Sequence, residues 1–392
     1  MTNTAPVHPE LIRWAIDRSG LASEDLATAF PKLDEWKRGK RLPTFRQLEA
    51  FAKKTMTPLG YLYLDAPPEE RLPIPDFRTV GDARIDRPSP NLIETIQAMQ
   101  RRQAWMREYL IEQAEKPLGF VGAAKHSRNV VSLAARIRDT LGLIVDWAEL
   151  HSTWEDALRT LRQSAEHIGI LVATSSVVGL NNHRPLDPQE FRGFVVCDSY
   201  APLIFVNGAD SKSAQMFTLA HELAHVWLGQ DGLFNLIKTM PHDDDTERYC
   251  NQVAAEFLVP RRKLLERWQE AQATGKPFQT IARWCKVSPV VAARRALDLR
   301  LISKAQFFVF YEQDQEDWRH RKAEEKVRKK GGPNFYDVQD VRLGRRFAYA
   351  VVRAAREGRL LFREAYQLTD LKGQTFNQYA DRLIQRMKDE RR

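Results

Sequence analysis

Phe217-Thr218-Leu219-Ala220-His221-Glu222-Leu223-Ala224-His225-Val226-Trp227-Leu228-Gly229 contains no proline, is rich in Leu and Ala, and ends on a glycine placed where a C-cap would stand. The composition predicts a helix. His221 and His225 are four residues apart, so a helix stacks both imidazoles on one face, with Glu222 beside the first. Two neutral imidazoles aimed at one point can hold a zinc ion, and an adjacent carboxylate can take a proton from water there. Three fixed positions in five residues say little by themselves. The surroundings say more: from Phe217 to Trp227 the only formal charge is Glu222. A half-buried helix presenting a polar trio to a cleft accounts for that pattern, and an exposed surface helix does not.

Two histidines leave a catalytic zinc site one protein ligand short. Downstream candidates are His242, Asp243, Asp244, Asp245, Glu247 and Glu256. Glu247 opens a second apolar helix that Pro260 ends, and a glutamate in its first turn can lie against the first helix. Asn251 is on the same face and can orient a ligating histidine. His242 stands between Pro241 and three aspartates, the composition of an exposed loop, so Glu247 is favoured over it. A donor to a developing oxyanion is also expected; Tyr249, His183 and His320 are candidates among which sequence does not choose.

Upstream of this pair the apolar period shortens to that of strands, at Ile168–Ala173, Gly193–Cys197 and Pro202–Asn207. The last two flank Asp198-Ser199-Tyr200-Ala201, a hairpin-like turn, and either could be the sheet edge to which an extended substrate adds. Helices are expected over 91–115, 129–141 and 152–168. The expected class is therefore α+β and predominantly helical, a small sheet plus a His-Glu-x-x-His helix, flanked by helical segments.

Residues 1–66 read as short helices, with Ser23 as an N-cap and Trp36 before a Gly39 and Pro43. They resemble a repressor-type helix-turn-helix domain, but the interval from Leu26-Ala27 to Trp36 is several residues short where the recognition helix would lie. Protein docking, or backbone contact through Lys37, Arg38, Lys40 and Arg41, is expected rather than base reading. Residues 67–90 hold six prolines and read as a stiff linker. A peptidase-like domain would span 91–262. Residues 263–305 carry a second helix-turn-helix rhythm in which Arg294 and Arg295 could meet phosphates. Residues 306–392 form a basic helical region, with a charged, flexible-looking run at 321–332 and a loop at Lys372-Gly373-Gln374-Thr375-Phe376.

The 392 residues are 43% hydrophobic and 28% charged, ordinary for a globular protein. No apolar run approaches the roughly 20 residues of a membrane span, and the N-terminus lacks a signal peptide's apolar core. Cys197, Cys250 and Cys285 lie far apart, which argues for a reducing cytoplasm and against a disulfide framework or a thiolate metal site. The net charge is +9, and residues 261–392 carry 31 Lys+Arg against 17 Asp+Glu. That imbalance suits either DNA or a solvated basic face.

Taken together, Phe191-Arg192-Gly193-Phe194, Asn207, the His221–His225 helix and Glu247...Cys250-Asn251...Ala254-Ala255-Glu256-Phe257-Leu258-Val259-Pro260 resemble the ImmA/IrrE family of metallo-endopeptidases. The likeness extends back through Pro75-Asp76-Phe77-Arg78 to the repressor-like N-terminus; Val253 departs from the phenylalanine usual there. The resemblance implies one Zn2+ per chain held by His221, His225 and Glu247, with Glu222 as general base. It also implies a cytoplasmic regulatory role in which a repressor-like protein is cleaved. The rival expectation is a DNA-associated regulator or antitoxin-like partner whose zinc site is structural or vestigial.

Overall fold

The computed structural model describes residues 4–70, 88–234, 245–328 and 334–390, which fall into two compact units. The Pro75-Asp76-Phe77-Arg78 segment of the expected linker lies outside the described residues.

The first unit takes residues 4–70 with 88–97. It holds α1 (Pro9–Ser19), α2 (Ser23–Ala29), α3 (Leu33–Lys37), α4 (Phe45–Lys54) and a 3-10 turn at Leu59–Tyr63. Leu11, Ile12, Leu26, Leu48 and Phe51 are fully buried at its centre, where Phe51 meets the rings of Phe30 and Trp36 edge-on. The side chain of Ser23, the expected N-cap of α2, makes no cap bond; Ala22 occupies that position. Thr44 instead caps α4 reciprocally with Gln47. The element between α2 and α4 is only five residues long.

The second unit begins at residue 98, within α5 (Pro90–Glu112). α6 (Val130–Thr140) and α7 (Trp154–His167) lead into β1 (Leu171–Ser175), β2 (Gly193–Val196) and β3 (Leu203–Asn207). Then come α8 (Lys212–Leu228), β4 (Gly232–Phe234) and α9 (Asp245–Leu258). Helices α10 (Arg261–Ala273), α11 (Pro277–Cys285), α12 (Pro289–Asp298) and α13 (Lys304–Arg328) follow. The chain closes with α14 (Phe335–Leu343), α15 (Arg345–Arg356), α16 (Phe362–Thr369) and α17 (Gly373–Glu390).

The sheet order is β1-β3-β2-β4, with β1 parallel to β3 and β2 antiparallel to both neighbours. β2 and β3 are buried throughout, which is why they read as unbroken apolar runs rather than alternating ones. Phe194 faces Phe205 across the ladder, the rings stacked with centroids 5.0 Å apart. The hairpin turn forms as expected: Asp198 Oδ1 accepts from the amides of Tyr200 and Ala201 at 2.8 and 2.9 Å.

Neither strand proposed as the edge is one. β3 lies between β1 and β2, and β2 between β3 and β4, because a short fourth strand follows α8. At the other side, Gly344 between α14 and α15 sits against the Val172 carbonyl of β1; a Cβ there would lie 2.8 Å from that oxygen. The helix junction thus covers the β1 edge, and the outer side of β4 is left open among the described residues.

α8 packs on β2 and β3 and against α9, and every residue from Gln215 to Leu228 is buried. Phe120 stacks on Trp227 at 4.6 Å, and the chain around it supplies amides to the end of α8: Gly122 to the Val226 carbonyl and Ala124 to that of Trp227. Two corrections concern the C-terminal part. α13 continues as helix through Arg328 where a flexible run was expected, and α17 begins at Gly373, inside the expected loop. No described helix is long and apolar enough to cross a membrane.

Candidate metal centre

The site is assembled where α8 crosses α9. Ser211 caps α8 through its hydroxyl, and Gly229 ends it in the left-handed conformation (φ 69°). Between these ends the four-residue spacing does what the sequence predicts. His221 Nε2 and His225 Nε2 are 3.0 Å apart. The Glu247 carboxylate, in the first turn of α9, reaches both, with Oε2 3.1 Å from His221 Nε2 and Oε1 3.0 Å from His225 Nε2. All three side chains are buried, and their donor atoms lie within 4.8 Å of one another.

These donors fit a divalent ion better than they fit each other. Ligands about 2.0–2.1 Å from a tetrahedral zinc stand a little over 3 Å apart, which is the spacing found. His221 Nδ1 lies 3.1 Å from Asn251 Oδ1, so the neutral ring donates there and turns its Nε2 lone pair towards Glu247. A lone pair aimed at a carboxylate, with a second imidazole at 3.0 Å, is repulsive until a cation enters. Burial lowers the His221 pKa, against the pull of Glu247, and favours the neutral ring. Burial would raise the Glu247 pKa, but positive charge at the two imidazoles outweighs it, and a cation among the donors acts in the same direction once the rings are neutral. Neutral imidazoles beside an ionised carboxylate are what a metal requires.

Glu222 is fully buried one residue on from His221, and neither of its oxygens has a hydrogen-bond partner among the described residues. Thr218, one turn earlier on the same face, has an unpartnered buried hydroxyl as well. Burial, then the charge of Glu247, raises the Glu222 pKa well above the ordinary carboxylate range. Orphaned polar atoms at the heart of a core are rare, and here they converge beside the donor trio. A cation among those donors offsets both effects that disfavour the Glu222 carboxylate.

Sequence reasoning placed Gly193 in a strand and a motif but gave the glycine itself no role. A Cβ on it would lie 2.5 Å from Thr218 Cγ2, 2.8 Å from the Phe205 carbonyl and 3.4 Å from Glu222 Oε1. The strand can therefore lie directly over the catalytic-type carboxylate only as glycine. Asn207 fixes this arrangement: its amide donates to the Phe191 carbonyl at 3.0 Å, while its Oδ1 accepts from Ala209 at 3.0 Å. Arg192 pairs with Asp210 at 3.2 Å, just before α8. The Phe191–Phe194 and Asn207 signals thus position the start of α8 and the strand above it.

The remaining candidates separate clearly. Tyr249 is two positions from Glu247, on the far side of α9, and its hydroxyl lies 3.4 Å from Ser127 Oγ. His183 is exposed in the loop between β1 and β2. The His320 side chain, and His242, Asp243 and Asp244, lie outside the described residues. Glu256 is not a ligand: it binds the Arg295 guanidinium and accepts from the Arg261 amide at 3.2 Å. The expectation for Arg295 needs correction for the same reason. Arg295 is buried, held by Glu256 and by the Val259 carbonyl at 3.1 Å, and no phosphate can reach it. Arg294 forms an ion pair with Asp298 at 3.0 Å.

Residues 165–297 match the Peptidase M78 family, described as the IrrE N-terminal-like domain. The match supports a metallopeptidase of the ImmA/IrrE type. A stretch of 91 residues is 32% identical to the radiation response metalloprotease IrrE of Deinococcus radiodurans, covering 22% of this chain. The chain spans only 28% of that relative's length. Residues 343–382, from the end of α14 into α17, match a domain of unknown function, DUF8813.

Proposed function

We propose that the chain is a zinc-dependent endopeptidase of regulatory purpose, acting on a transcriptional repressor or a similar regulatory protein. The observation that carries this reading is the convergence of His221, His225 and Glu247 beside an orphaned, buried Glu222. When bound, zinc supplies Lewis acidity, making a nearby water more acidic and a peptide carbonyl more electrophilic. His221, His225 and Glu247 hold the ion, and Asn251 fixes the His221 tautomer. Glu222 accepts the proton of the attacking water and passes it to the departing amine. Exclusion of bulk water by the packed α8 strengthens each of these contacts.

An extended substrate would add to the open side of β4. Phe234 of that strand pairs with Gly193, and Gly193 lies beside Glu222, so an added strand would run one strand beyond the one that covers the carboxylate. The relative's printed name, a radiation response metalloprotease, favours a stress-linked purpose. The rival reading, a DNA-associated regulator, loses support from Arg295, which is spent inside the fold.

The test uses purified full chain, metal analysis and incubation with the repressor-like product of a neighbouring gene. Glu222→Gln is expected to keep one zinc per chain and to lose cleavage by about 10²–10⁴-fold, the range for removal of a general base. Undiminished cleavage by that variant would overturn the mechanism. One zinc per chain with no cleavage of that protein by the unaltered chain would favour the rival.

A further inference from the structure

Away from the metal donors, the second unit holds a broad pocket open to solvent, of about 1080 Å³, at the upper end of the size of ordinary small-ligand sites. Its wall is built from three places in the chain. α5 contributes Arg101 and Trp105, the loop after β1 contributes Asn181, and the α16–α17 region contributes Arg363, Tyr366 and Lys372.

The charge in this wall does not cancel. Two carboxylates border it, and of these Asp370 is neutralised by a cation. Asp370 is paired at 3.0 Å with Arg102, which is itself buried and donates to the Leu368 carbonyl. Glu364 turns back to accept from the amide of Leu361 at 3.3 Å, capping its own helix. Arg101, Arg363 and Lys372 have no ion-pair partner among the described residues, and each is exposed. Trp105 and Tyr366 add two half-buried aromatic side chains to the same wall. Trp105 is braced by Tyr109, stacked at 5.3 Å, and by Phe347 edge-on at 5.7 Å. Tyr366 is braced by Phe376 at 5.4 Å. These rings are held rigidly, which limits the entropy lost when a planar group packs on them.

Three cations against one carboxylate without a cation partner, Glu364, leave the wall net positive beside two braced rings, which suits a ligand that is anionic at one end and flat and aromatic at the other. Guanidinium forks match phosphate oxygens, and aromatic side chains stack on a base. We propose that this cavity binds a nucleotide, with its phosphates on Arg101, Arg363 and Lys372 and its base against Trp105 and Tyr366. The site gives a ligand to the segment at residues 343–382, and it stands independently of the peptidase reading.

Fluorescence anisotropy of a labelled ATP analogue on the full chain tests it. ATP, GTP, CTP, UTP, tripolyphosphate and a ten-residue oligothymidine serve as competitors. Saturable binding is expected, displaced by at least one nucleoside triphosphate more effectively than by tripolyphosphate. The double variant Arg363→Gln with Lys372→Gln should weaken it by at least about tenfold, as expected when charge-assisted contacts are lost. Trp105→Leu should narrow the advantage of the nucleotide over tripolyphosphate, with Tyr366→Leu in its place if that variant fails to fold by circular dichroism. Absence of saturable binding, or binding unchanged in the Arg363/Lys372 double variant, would overturn the proposal. So would tripolyphosphate competing as well as every nucleotide, which marks an anion site, or displacement by oligothymidine alone, which marks a strand-binding surface.

Discussion

Arg295 and Asn251 show how single side chains in this fold divide between architecture and chemistry. Arg295→Ala leaves Glu256 buried without its cation, and loss of one partner of a buried pair costs about 3–5 kcal/mol. Denaturant unfolding should therefore register a large loss of stability; a change below about 1 kcal/mol would return Arg295 to the surface role its neighbour suggests. Asn251→Ala removes the acceptor for His221 Nδ1 without touching a ligand, and metal affinity should fall by about 10–100-fold in competition with a chelator. The difference between these residues was only half legible. His221, His225, Glu247 and Asn251 follow helical spacing on two strongly apolar helices, so one face could be assigned from the chain alone. Arg294 and Arg295 are adjacent, pointing about 100° apart on α12. Nothing local says which of them turns inward, and that depends on Glu256, which lies 39 positions away.

At the level of elements, two glycines hold the site's frame. Gly193→Ala forces β2 away from Thr218 and Glu222, and overpacking of that kind costs about 1–3 kcal/mol. The sharper readout is catalytic: cleavage should fall more than stability does, because a shift on the order of 1 Å at Glu222 costs roughly 10²-fold. Gly229 faces a different obstacle. It has φ +69°, and a Cβ would come 2.9 Å from the Gly122 backbone, so Gly229→Ala should cost about 1–3 kcal/mol in thermal unfolding without altering zinc stoichiometry. The strands were legible because burial on both faces makes them unbroken apolar runs. Their order was not. β4 is three residues long and carries too little pattern to announce itself, yet its presence moves the sheet edge from β2 to β4. At the other end of the chain, α3 has five residues and spans only about 7 Å, little to lay along a major groove.

Across the whole molecule, a metal held by His221, His225 and Glu247 would couple to stability, because only the folded chain brings them together. An ion present at a hundred times its dissociation constant adds about 2.7 kcal/mol, so chelation should lower the unfolding midpoint, and returned zinc should restore it. A midpoint indifferent to chelation would mean that the trio does not hold metal in solution. The response should also be uneven along α9. Its last turn is fastened from two sides: Arg138 of α6 donates to the Glu256 and Phe257 carbonyls at 3.0 and 3.1 Å, and Arg295 of α12 donates to Val259. Glu247 stands in the first turn, at the opposite end. The helix is thus a beam clamped at its far end, for which an ion, when bound, would be the second support. Removing the ion should speed amide exchange near residues 247–251 and leave 254–258 as slow as before, so that metal loss loosens the end that carries Glu247 while the clamp preserves the position to which it returns.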